Sequence, residues 1–179
     1  YSSTFALRTN KEYFAMNAPA PLKWDSVEWR QHRDERLLGW MKGNVDAVNT
    51  VIALSTIAET WDDLHDDEAP SKDRINAAFT LALVKLQVND FYKANEALFF
   101  SQIVTSINGW MDANELQSSA SESERMHAWF LRSLGHEITH LAAFRVGGWE
   151  HMRKVSMEMR HFFMHERFDE WEYRHVRAA

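Results

Sequence analysis

Residues Val45–His65 read VDAVNTVIALSTIAETWDDLH, and Val45, Val48, Val51, Ile52, Leu54, Ile57, Trp61 and Leu64 fall around nearly the whole circumference of a helix. A helix that is apolar all round has no face to give to water, so it belongs at the centre of a bundle of other helices. Gly43 and Asn44 supply a stop for the preceding helix and a cap for this one. Composition agrees, since 8 Trp and 11 Phe provide large core side chains while 6 Gly and 3 Pro are too few for a turn-rich β architecture.

Outward from this segment, Asp25 with Glu28 predicts a capped helix to about Lys42. Pro70 and Ser71 break and recap the chain before a helix of about Asp73 to Val88, with Ile75, Ala78, Phe79, Ala82 and Leu86 on one stripe. Asn89 and Asp90 end it. Leu98, Phe99, Ile103, Ile107 and Trp110 support a helix from Phe91 to about Leu116. Ser121 with Glu124 caps a fifth, to about Val146, whose apolar stripe is Met126, Phe130, Leu134 and Leu141. Gly147-Gly148 turns the chain into a sixth, Trp149 to about Tyr173, with Met152, Val155, Met159, Phe162 and Phe163 facing inward. The expected fold is all-α, a single bundle of about six helices over residues 25–179. Residues 1–24 show no sustained period and Pro19 and Pro21 hold their end extended, which predicts an N-terminal arm that docks on the body or on a neighbour.

A chain of 179 residues with 45% hydrophobic content can bury one good core. The absence of cysteine excludes disulfides, thiolate metal sites and a Cys nucleophile. No apolar run approaches the length of a membrane span, and the first residues lack the apolar centre of a signal peptide, so a soluble protein is expected. A pI near 5.8 gives no general basic character for nucleic acid.

The charge is concentrated. Glu59, Asp62, Asp63, Asp66, Asp67 and Glu68 lie within ten residues without a Lys or Arg, and removing these six leaves acids and bases equal, so the formal charge of -6 resides here. Carboxylates so close repel, and need a cation, a basic partner or full solvation. Offsets of three and four place Glu59, Asp62 and Asp66 on one helix face, with Asp63 beside them. Hard cations such as Mg²⁺ or Mn²⁺ take carboxylate oxygens presented in this way, making Glu59, Asp62, Asp63 and Asp66 a candidate metal site. The order Asp62-Asp63-Leu64-His65-Asp66 also matches the DDxxD pattern of class I isoprenoid synthases, which are much longer chains with a second metal motif that Asn89-Asp90 and Glu96 fill poorly. The plain alternative is a solvated helix end, because acids at a helix C-terminus oppose its dipole and favour water.

His136-Glu137-Ile138-Thr139-His140 fits the zincin motif, in which two His one turn apart bind zinc and Glu activates water. Antiparallel pairing about Gly147-Gly148 brings Glu158 level with Glu137, so His136, His140 and Glu158 form a candidate Zn²⁺ set with Glu137 as the catalytic base. A chain with 9 His also produces such a match by accident, and the strand that holds a zincin substrate is not expected here. A carboxylate bundle built from Glu59, Asp62, His65, Glu137, His140 and Glu166 would need a cleaner second ExxH than Asp62–His65. The Met and aromatic stripe of the last helix reads as packing, and His161, His165 and His175 as surface.

Trp61-Asp62-Asp63-Leu64-x-Asp66, Ile75-Asn76 with Phe79, Asn89-x-Phe91-Tyr92, Trp110 and Gly147-Gly148 together resemble an uncharacterised family of phage and prophage proteins, over about residues 50 to 165. The resemblance implies phage origin, marks Asp62, Asp63 and Asp66 as the residues to watch, and does not include the HExxH match. The expected function is that of a non-enzymatic helical protein in the virion or host cytoplasm, docking to protein partners or to itself through the arm and the acidic box. The competing expectation is a metal-dependent hydrolase, acting on phosphoesters or nucleotides at the box with Mg²⁺ or Mn²⁺, or with Zn²⁺ at HExxH.

Overall fold

The computed structural model describes residues 26–66, 69–163 and 167–173. The expected arm, Asp25, the box residues Asp67 and Glu68, and Glu166, His165 and His175 lie outside the described residues. All regular structure among the described residues is helical. The chain divides into two compact units, Tyr1–Arg36 and Leu37–Ala179, with the division inside the first helix, α1 (Val27–Trp40). In the first unit Ser26 caps α1 by accepting from the Trp29 N–H at 3.0 Å, and the Arg33 guanidinium lies 5.4 Å from the Trp29 ring centre.

The second unit holds the core. The end of α1 delivers Leu37, Trp40 and Met41 to it, and the chain then turns through Lys42 and Gly43, both with positive φ. The Gly43 N–H donates to the Leu38 carbonyl at 2.9 Å, closing the helix with a left-handed cap that favours glycine. Asn44 then caps α2 (Val45–His65) by accepting from the Ala47 N–H at 2.9 Å.

The first two-thirds of α2 are central, as its apolar circumference requires: Ala47, Val48, Thr50, Val51, Ala53 and Leu54 are buried, and α2 packs against elements from both the middle and the end of the chain. Its ends differ from that expectation. Val45, Trp61 and Leu64 are exposed while Thr60 is buried, so toward the ends the helix is covered on part of its circumference only.

After the break at Pro70, Ser71 caps α3 (Lys72–Thr80), which widens into a π turn at Leu81–Lys85 before Leu86–Val88. The wider turn keeps Ala78 and Leu86 inward, with Ala82 half-buried between them, while Phe79, expected inside, points to solvent along with Leu83. Asn89 fastens this end of α3 to the start of α2. Its Nδ2 donates to the Asp46 carbonyl at 3.0 Å, and its Oδ1 lies 3.1 Å from the Thr50 hydroxyl. The same oxygen accepts from the Tyr92 N–H at 2.8 Å, capping α4 (Asp90–Ala94).

The single helix expected from Phe91 to Leu116 is interrupted at Asn95. The buried Asn95 amide donates to the Phe91 carbonyl and accepts from Arg145, so its side chain takes over the bonding that the interrupted backbone gives up. α5 (Glu96–Leu116) follows, with Phe99 fully buried under a stacked Tyr92. Burial, with Glu96 nearby, pushes the Tyr92 phenol above its ordinary range and keeps it neutral.

α5 and α6 (Glu122–Arg132) form an antiparallel pair seated on small residues. Ala113 and Ala128 are fully buried, and a Cβ on Gly109 would come within 2.7 Å of Leu134 Cδ1. Close approach therefore selects the small face. Met126 and Phe130, expected in the core stripe, are exposed on the other side of α6. The turn before α6 is closed by Ser119, whose hydroxyl bonds to Glu124 and accepts from the Ser121 N–H, in place of the expected Ser121 side-chain cap.

A 3-10 turn (Ser133–His136) leads into α7 (Glu137–Phe163), which kinks at Gly148, where φ is 77° and ψ is -176°. At Gly147 a Cβ would sit 2.4 Å from the His151 ring, so the missing side chain lets that imidazole reach the Trp40 carbonyl, 2.7 Å away. The two halves of α7 fold back on each other, and Met159, Phe162 and Phe163 close the core against Trp40. Finally α8 (Phe168–Glu172) adds Trp171 to a smaller cluster with Ala113 and Ala128, held by a buried ion pair of 2.7 Å between Glu172 and Arg125. No helix among the described residues is long and apolar enough to cross a membrane.

Candidate functional site

The acidic end of α2 divides its carboxylates between two neighbours. Asp62 turns toward the α5–α6 pair, where its Oδ1 accepts from Trp110 Nε1 at 2.6 Å and lies 3.4 Å from Arg132. The Arg132 side chain is largely buried, and its other terminal nitrogen donates to Asn114 at 2.6 Å and Gln117 at 3.0 Å. Trp61 and His65 complete this face, with ring centres 4.5 and 4.7 Å from that of Trp110.

Asp63 and Glu59 turn the other way, to Arg74 of α3, at 3.0 and 3.7 Å. The expected grouping of Glu59 with Asp62 and Asp66 is therefore replaced by Glu59 with Asp63, one turn apart on the side covered by α3. The hairpin at Pro70 puts Arg74 opposite that side. Asp66 closes the helix, its backbone N–H donating to the Asp62 carbonyl, and its carboxylate lies 3.3 Å from the exposed His65 ring.

Electrostatics explain the arrangement. Carboxylates at a helix C-terminus face the negative end of the dipole and one another, and guanidinium groups from α3 and α6 offset both effects at short range. The box ties α2 to α3 on one side and to α5 and α6 on the other.

The HExxH residues also separate. His136 lies in the 3-10 turn and Glu137 is the first residue of α7, so the motif straddles two helix types, and its two histidines are engaged by different neighbours. The His136 ring stacks on Phe163, centres 4.6 Å apart. The buried His140 ring has Nε2 3.3 Å from the Ser156 carbonyl. Its Nδ1 has no hydrogen-bond partner among the described residues and lies 3.6 Å from Glu137 Oε2.

Glu137 receives both terminal nitrogens of Arg160, at 2.6 and 3.3 Å. The pairs Glu137–Arg160 and His140–Ser156 both centre on Gly148, so the antiparallel pairing expected across the glycines is present, with Arg160 rather than Glu158 level with Glu137. Glu158 is exposed. Among the described residues no three His, Asp or Glu side chains are grouped so as to hold a metal ion.

Sequence reasoning missed the arginines. A run of acids without bases demands cations from elsewhere in the fold, and the returning helix offers Lys72 and then Arg74, of which Arg74 reaches the box. Arg132 had a weaker signal, a lone base among the apolar residues at the end of α6. No protein family, curated protein or solved structure matches the chain.

Proposed function

We propose that this protein is a non-enzymatic helical docking protein, of phage origin and serving as a virion or assembly component, in which the acidic box acts as a clasp between helices. The observation that carries this reading is the set of large apolar side chains turned to solvent in helical register: Phe79 with Leu83 on α3, Phe100, Val104, Ile107 and Met111 on α5, and Met126 with Phe130 on α6. Rows of this kind are what helix-mediated recognition uses as anchors. The clasp supports the reading from the other side, because a cation at Glu59, Asp62, Asp63 and Asp66 would have to compete with Arg74 and Arg132 for the same oxygens.

Serine at Phe79 and at Phe130 tests the reading. Residues that serve docking leave unfolding free energy within about 0.5 kcal/mol when replaced, while binding of an environment-sensitive apolar dye to the folded protein falls. Destabilisation of about 3 kcal/mol or more, the cost of truncating a core aromatic, would assign these side chains to the interior and defeat the reading.

A further inference from the structure

We draw no further inference here: the strongest candidate, the exposed apolar face of α5 formed by Phe100, Val104, Ile107 and Met111, carries none, because nothing among the described residues shows what covers it.

Discussion

Replacing Asp62 separates a clasp from a patch of mutual repulsion. Asp62 receives the Trp110 indole N–H at 2.6 Å and lies 3.4 Å from Arg132, whose remaining contacts go to the neutral oxygens of Asn114 and Gln117. A hydrogen bond to a charged acceptor contributes about 1.5–3 kcal/mol and an exposed ion pair about 0.2–1 kcal/mol. The carboxylate is 41% exposed, so water recovers part of the loss and the lower ends of both ranges apply. Asp62→Ala, which leaves the indole N–H without its acceptor, should then cost about 1.5–2.5 kcal/mol, or about 3–10 °C in a protein of this size. Asp62→Asn keeps an acceptor oxygen and should cost about 0.5–1 kcal/mol. Urea unfolding of Asp62→Asn, Trp110→Phe and the double variant isolates the coupling, expected near 1 kcal/mol. An Asp62→Asn protein as stable as the parent or more so, or a coupling within about 0.3 kcal/mol of zero, would mean that the box carboxylates chiefly repel.

Three further outcomes follow from the packing. Gly148→Ala should cost about 1–3 kcal/mol by denaturant unfolding, because the φ of 77° with ψ of -176° is a conformation essentially reserved for glycine. Ala113→Leu should cost about 1–3 kcal/mol, because the α5–α6 approach leaves no volume at a fully buried alanine. Phe99→Ala should cost about 3–5 kcal/mol, because the whole Phe99 side chain is buried, read as a shift in denaturation midpoint.

The parts of the fold legible in the sequence were those set by local chemistry. The apolar circumference of α2 marked its centre, Asn44 and Ser71 marked helix starts, and Gly147-Gly148 marked the reversal that brings Glu137 to Arg160. What escaped was decided by choices between faces. Met126 and Phe130 form the more hydrophobic stripe of α6, yet the helix turns Ala128 inward because Gly109 and Ala113 allow a closer approach than large side chains would. Phe79 faces solvent from the turn before Leu81–Lys85, where the chain widens into a π turn that no residue type announces. At the candidate site, the run of carboxylates was plain in the sequence, but its division between Arg74 and Arg132 depends on which helices return beside α2, a fact of topology rather than spacing. HExxH misled for a related reason. The motif is a pattern on one continuous helix, and here a 3-10 turn ends between His136 and Glu137.

The most direct test of docking over metal chemistry is thermal unfolding of the chelator-treated full chain with and without 1 mM Mg²⁺, Mn²⁺ or Zn²⁺, an amount on the order of a hundred times a useful dissociation constant. With the box carboxylates engaged by Arg74 and Arg132, and Glu137 by Arg160, the melting temperature should move by less than about 1 °C with each ion. A saturable rise on the order of 5 °C or more, the stabilisation of about 2.7 kcal/mol that such occupancy implies, lost in Asp62→Asn or in His140→Ala, would contradict it and restore a metal centre to the box or to the HExxH residues.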